Sequence, residues 1–433
     1  MRRVLGVFLF MLSLAAEAAV FALVVQDETA LRPTPGASAK PSTVLWQGEM
    51  VEVRGERLDY LQVWDYTRER GGYVRAGQVR MLALSEAEAP ELLAVLRFLR
   101  NVPGSEALGI GIAAAYVEAA SAEALNGADG IEALEAMGTL AERLARNASG
   151  VTQLKAVAVS AHLEVAARYG VRFVSVERGS RVRVCYDGAA WRKLLAMAAS
   201  EEQRARAALA LSEPACARPE LTMAEMLDRV NGASLPGYLR NRVLMRRAVL
   251  WASTAYQQAR AGEDPQPAAS RAIESLARVE AGELAEADRA AYAEAELRVG
   301  AARVGLGGVA SSKNLYIATT AGEAGRTCAV LMSAKEEALA RRCTYGLVWT
   351  GSAVANNEAT ALTVPVQHTD TWRELWLFRK TSTGWSIRVL PPGTEPGVGF
   401  ADFAGWTPGG VRVKREALVA GRVARSTRLI RIT

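Results

Sequence analysis

The chain has 433 residues, half of them apolar and 23% charged, a balance that excludes a disordered polymer and predicts two to four domains with ample core. Its 52 Lys and Arg exceed its 46 Asp and Glu, for a net charge of +6. The basic residues form no long run, so nucleic acid is not an expected partner, whereas phospholipid headgroups or cell-wall polymers are compatible with the charge. Four cysteines without a CxxC pair and only two histidines, His162 and His368, leave no ligand set for zinc; no metal and no cofactor is expected.

At the N-terminus, Met1-Arg2-Arg3 precedes an apolar run from Val4 to Ala16 and the small-residue motif Ala16-Glu17-Ala18. This order predicts a signal peptide over residues 1–18 and a mature chain from Ala19, in the periplasm or secreted, with no stable membrane insertion after cleavage. An uncleaved anchor from Val4 to Val25 would be long enough to span a bilayer, but it would place Glu17 within it at a cost of about 3 kcal/mol.

Residues 19–83 contain short alternating runs broken by turn residues: Ala30-Leu31-Arg32-Pro33, Val44 to Val53, Leu61-Gln62-Val63-Trp64 and Gly71-Gly72-Tyr73-Val74-Arg75. They predict a small barrel of about five strands. Alternation turns Val51, Val53, Leu61 and Val63 inward and sets Tyr60, Trp64 and Tyr66 on the opposite face, with Tyr73 on a following strand. That face is either a docking surface or is covered by the next domain or the hairpin from Thr67 to Gly71. The order resembles the bacterial SH3-like domain over residues 23–82. Leu61-Gln62-Val63 stands at the family's central strand and Gly72-Tyr73-Val74 at its Gly-Trp-Val turn, with Tyr73 replacing the Trp. The resemblance implies a binding module of exported proteins that holds a peptide, protein or peptidoglycan on Tyr60, Trp64, Tyr66 and Tyr73.

From residue 84 to 309 the period lengthens to 3.6, which predicts an irregular α-helical domain. Ser85-Glu86-Ala87-Glu88 has the form of a capping box ahead of Leu92, Leu93, Leu96 and Leu99. Further stripes run through Ile131, Leu134, Met137, Ala141 and Leu144, and through Leu239, Val243, Ala248, Trp251 and Ala255. Helices are also expected near 150–169, 189–212, 219–231, 266–281 and 284–303. One β-hairpin interrupts them, with arms Val171 to Val176 and Arg181 to Tyr186. Gly109-Ile110-Gly111-Ile112-Ala113-Ala114 has the letters of a dinucleotide fingerprint, but no strand precedes it; the small residues are expected to serve close helix packing instead.

Residues 310–433 predict an antiparallel sheet or small sandwich, with strands at Leu315 to Thr319, Thr344 to Thr350, Ala359 to Val366, Glu374 to Arg379, Trp385 to Leu390 and Val411 to Lys414. Trp406-Thr407-Pro408-Gly409-Gly410-Val411 is similar to a blade turn of TolB-type β-propellers. That likeness covers residues 372–414 in one copy, too little for a closed propeller. Local pairing of the cysteines gives the disulfides Cys185–Cys216 and Cys328–Cys343, one of three connectivities.

The chain is therefore expected to be multidomain α+β: an N-terminal SH3-like β-barrel, a central irregular α-helical domain with an inserted hairpin, and a C-terminal antiparallel sheet or small sandwich. No P-loop, HExxH or G-x-S-x-G is present. The expected function is a non-enzymatic, exported cell-envelope adaptor. The alternatives are an envelope hydrolase with a carboxylate site in the helical domain, or a purely architectural protein.

Overall fold

The computed structural model describes residues 20–150, 155–178, 181–216, 220–306, 314–394 and 397–432, so the expected signal peptide and the boundary at 309/310 lie outside the described residues. The chain gathers into two compact units, Met1–Ala199 and Ser200–Thr433. No helix among the described residues is long and apolar enough to cross a membrane.

The first unit begins with β1 (Val20–Val24), β2 (Thr29–Leu31), β3 (Thr43–Leu45), β4 (Met50–Arg57), β5 (Tyr60–Asp65), β6 (Arg70–Arg75) and β7 (Val79–Leu82). Five of them form an antiparallel sheet in the order β6-β5-β4-β1-β7, while β2 and β3 pair separately. The expected closed barrel is not formed. Among the described residues no ladder joins β6 to β7, because Tyr73 on the outer edge of β6 exchanges both main-chain hydrogen bonds with Arg32 (2.7 and 3.0 Å). The alternation itself is as expected. Ala22, Val24, Val51, Leu61, Val63 and Val74 share one apolar cluster, with Val53 partly buried against it.

Helices α1 (Ala89–Leu99), α2 (Glu106–Ala119), α3 (Ala122–Asn126), α4 (Ala128–Ser149) and α5 (Ala156–Arg168) follow. Then come the hairpin β8 (Phe173–Arg178) and β9 (Arg181–Tyr186), whose turn residues Gly179 and Ser180 lie outside the described residues, and α6 (Ala189–Leu195). The sheet and these helices have a core in common: Leu23 of β1 and Leu82 of β7 belong to the cluster of Leu92, Leu96, Ile110 and Leu140. Each such side chain, fully buried, contributes about 1.5–3 kcal/mol.

The approach of sheet to helix is set by glycines. A Cβ on Gly48, whose φ is +87°, would collide with the Ala107 carbonyl of α2, and a Cβ on Gly111 would stand 2.9 Å from the Gly48 carbonyl oxygen. Gly109 meets Leu140 of α4 in the same way, at 2.7 Å. The glycine run of α2 thus serves close packing, as the sequence predicts. Beside it the Tyr169 hydroxyl donates to the Gly48 carbonyl (2.6 Å), and burial pushes the pKa of that phenol up. Glu49, 2% exposed, accepts both arms of the Arg68 guanidinium (2.7 and 2.9 Å); Asp65, 1% exposed, accepts from it at 2.7 Å. Arg168 at the end of α5 lies 3.6 Å from Glu49. Two buried carboxylates are tolerable only with such pairing. The Glu49 hydrogen bonds, followed by those of Asp65, hold the Arg68 guanidinium above its ordinary pKa.

Two helix starts differ from expectation. Ser85 caps nothing; the Glu88 carboxylate instead reaches back to the N–H groups of Ala83 and Leu84, both at 2.9 Å. The single helix expected over 189–212 is two, because Ser200 and Gln203 cap each other's backbone N–H and so start α7 (Glu201–Leu211) afresh. That capping box coincides with the division between the units.

In the second unit α7, α8 (Glu220–Asp228), α9 (Gly237–Ala261), α10 (Gln266–Ala277) and α11 (Arg289–Leu306) share a core in which the expected stripe Leu239, Val243, Ala248, Trp251 and Ala255 is buried. Next come β10 (Leu315–Ala321), β11 (Thr327–Ser333) and β12 (Ala338–Thr344), a three-stranded antiparallel sheet. The rest, β13 (Leu347–Val348), β14 (Val354–Ala355), β15 (Ala361–Thr369), β16 (Trp372–Thr381), β17 (Gly384–Leu390), β18 (Gly399–Thr407), β19 (Gly410–Val419) and β20 (Arg422–Arg431), make a second sheet. Its order is β13-β15-β16-β18-β19-β20, with β14 on β15 and β17 on β16. One face packs Val364, Trp376 and Phe378 against Ile317 and Leu331 of the smaller sheet. The other gathers Leu375 and Leu377 with Val411 and Val413. Leu297 and Ala301 of α11 lie on Phe400. Arg373, 0% exposed, donates to the Ala301 carbonyl (2.8 Å) and to Asp402 (2.9 Å).

Cys328 and Cys343 stand directly opposite on β11 and β12 and are disulfide-bonded, with Cα atoms 3.8 Å apart. Cys185 and Cys216 are also in disulfide form.

Gly111→Ala tests the glycine contact. Alanine is worth about 1 kcal/mol more than glycine in an open helix, and Gly300→Ala in α11, where nothing lies within 4 Å, should gain up to that amount. At position 111 the crowding should reverse the sign and cost about 1–3 kcal/mol in denaturant unfolding; a gain there would refute the contact. Non-reducing peptide mapping should recover Cys328–Cys343. Either of these cysteines joined to Cys185 or Cys216 would contradict the pairing.

Candidate functional site

The aromatic residues singled out by alternation do not share one open face. Tyr60, at the start of β5, is 3% exposed: its hydroxyl accepts the Arg75 Nε–H (3.3 Å), and the Arg75 guanidinium lies 6.0 Å over its ring. Tyr73 is half-buried on the edge that Arg32 bridges. Trp64 and Tyr66 remain reachable, Tyr66 at 61% exposure. The Trp64 ring lies across Gly71, where a Cβ would stand 3.2 Å from it, and the Arg54 guanidinium covers it at 4.6 Å. Glu52 accepts from Arg54 Nε (2.7 Å) and from the Tyr66 hydroxyl (3.1 Å). The Arg54 hydrogen bond is the first reason that the Glu52 carboxyl sits below its ordinary pKa. Arg54, Glu52 and the Tyr66 hydroxyl are thus already engaged with one another.

A second feature of the same unit is a groove of about 830 Å³. The turns after β1 and before β4 supply Asp27 and Gln47, the turn from α1 to α2 supplies Gly104, and α5 supplies His162. His162 Nε2 lies 2.8 Å from Asp27 Oδ1. A carboxylate can only accept, so Nε2 carries the hydrogen and donates. The Gln47 backbone N–H donates to the same oxygen (3.2 Å), and its side-chain amide donates to Asp27 Oδ2 (3.2 Å) and the Gly104 carbonyl (2.9 Å). Trp46 sets its ring edge-to-face with His162 at 6.2 Å. Asp27 is therefore oriented by three donors from a sheet turn and a helix, and its carboxylate remains partly open to solvent.

Arg146 and Lys155 give the groove positive charge. Its other carboxylate, Glu106, is taken up by Arg143 and the Gly104 N–H (3.2 Å). Arg143 in turn donates to the Arg100 carbonyl (2.8 Å) at the C-cap of α1, one the helix itself leaves unsatisfied, and to the Val102 carbonyl (2.7 Å) in the turn beyond it. No group of three or more His, Cys, Asp or Glu side chains placed to hold a metal ion occurs among the described residues.

Sequence reasoning missed this constellation. Asp27, Gln47, Gly104 and His162 carry no mutual spacing, and His162 read only as one position in a helix; a lone Asp in a turn gives no local signal. No protein-family model, no curated protein and no solved structure matches the chain.

Proposed function

We propose that this is an exported, non-enzymatic binding protein of the cell envelope, that its five-stranded sheet is a diverged, open relative of the SH3-like module, and that its ligand is a carboxylate-bearing peptide such as the stem peptide of peptidoglycan. The groove between sheet turns and helices carries the reading. Its volume falls in the range of ligand sites, and it presents an oriented acceptor, Asp27, beside the cations Arg146 and Lys155. That pairing suits a chain bearing both ammonium or amide donors and carboxylates. Four disulfide-bonded cysteines fit an oxidising compartment, and the signal-like N-terminus fits export. Trp64 and Tyr66 offer a second, smaller contact surface on the sheet. The hydrolase alternative would draw on the same groove, because Asp27 and Glu106 both line it. The Arg143 contact argues against it, since Glu106 is already engaged by that guanidinium and by the Gly104 N–H.

Isothermal titration with soluble peptidoglycan fragments tests the proposal. Asp27→Asn and Lys155→Ala should each weaken binding about tenfold or more, the loss of a charged hydrogen bond. Trp64→Ala should have a lesser effect. Unchanged affinity in both groove variants would reject the site. Accumulation of cleaved fragments during the titration would favour the hydrolase.

A further inference from the structure

The charge of the chain is concentrated at one end. Residues 384–433 hold eight basic and three acidic side chains, +5 of the total +6. Two of those acids are committed: Asp402 lies against buried Arg373, and Glu416 holds both Lys414 (2.6 Å) and Arg425 (2.9 Å).

Arg415 on β19 faces Ser426 on β20, and Arg428 stands two residues farther along the same face, as its diagonal neighbour. Arg388 on β17 is opposite Leu377. Leu377 shares an apolar cluster with Val411 and Val413, and period-2 alternation puts Arg415 on the face of Val413. Three guanidiniums therefore gather at the border of one apolar cluster. None of them makes an ion pair among the described residues. The Arg415 Nε–H is shut off from solvent and meets no acceptor. Burial first, and then the charges of Arg428 and Arg388, lower the pKa of the Arg415 guanidinium.

Like charges drawn together around an unanswered buried donor are unfavourable in an empty site and favourable once an oxyanion enters it. A carboxylate has two oxygens to offer three forked donors, whereas a phosphate spreads its acceptors tetrahedrally. We propose that Arg388, Arg415 and Arg428 form a phosphate-binding site on the C-terminal sheet, one that takes the phosphate of a soluble phosphoryl compound or of a lipid headgroup. The site is independent of the groove in the first unit.

Two probes distinguish the sources: inorganic phosphate in a calorimetric titration, and flotation with phosphatidylglycerol vesicles against phosphatidylcholine vesicles. Phosphate binding without flotation assigns a soluble ligand, and selective flotation on phosphatidylglycerol assigns a headgroup. In either arm Arg415→Gln and Arg428→Gln should each weaken binding about tenfold or more. Arg428 is exposed, so its variant remains informative if Arg415→Gln fails to fold. Arg425→Gln removes the same charge from the opposite face, where Glu416 neutralises it, and should leave binding within about twofold. Equal losses in Arg425→Gln and Arg428→Gln would reduce the effect to diffuse charge and overturn the site, as would the failure of the whole protein to bind either probe.

Discussion

The first unit depends on how closely the Gly48–Glu49 turn can approach α2. Backbone meets backbone there: Gly48 and Gly111 both lack the Cβ that would hold the layers apart. Once they are in contact, Leu23 and Leu82 can enter the helical core. The same approach takes Glu49 out of water, and Arg68 and Arg168 supply the charge that makes this tolerable. The ion pairs are therefore a consequence of the packing rather than its cause. Replacing them with apolar groups of similar shape would disturb the seam less than adding one methyl group at Gly48.

The groove follows from that seam. Asp27 and Gln47 sit on turns of the sheet, Gly104 and His162 on the helical layer, and the hydrogen bonds among them require the two layers to keep one spacing. A site assembled in this way belongs to neither layer alone. The three arginines of the C-terminal sheet rest on a different principle. The register of β20 on β19 places Arg428 beside Arg415, and Arg388 is brought to them by the packing of Leu377, its cross-strand partner, with Val411 and Val413.

Legibility in the sequence followed range. Alternation over three to six residues placed Val51, Leu61 and Val63 correctly, and helical stripes placed Leu92, Leu96, Trp251 and Ala255, because these patterns are local. The glycine run of α2 could be read as a packing surface from the missing strand before it. Whether Tyr60 is open or covered was not legible, because alternation gives direction and not cover; the ring is 3% exposed, with the Arg75 guanidinium of the neighbouring strand over it. Ser85 looked like a cap because Glu88 stood at the right spacing, but that carboxylate bonded farther back along the chain. Ser200 with Gln203 was a true box that could have been read, and the continuous alanine-rich pattern on both sides obscured it. Strands β11, β12, β18 and β20 were not foreseen. Polar residues interrupt β12, β18 and β20 at positions that only cross-strand partners make intelligible, whereas β11 is a continuous apolar run from Cys328 to Met332 too short to be told from a helical segment by period alone.

The central claim, that sheet and helices of the first unit are one folding body, is most directly tested by hydrogen exchange on residues 20–83 produced alone, compared with the same residues in the whole protein. With Leu23, Leu82, Phe21 and Met50 stripped of their helical partners, the isolated segment should exchange its β1 and β4 amides without protection. In the whole protein the same amides should be among the slowest. Protected strands in the isolated segment, with a cooperative unfolding transition of their own, would contradict the account and make the sheet an autonomous module.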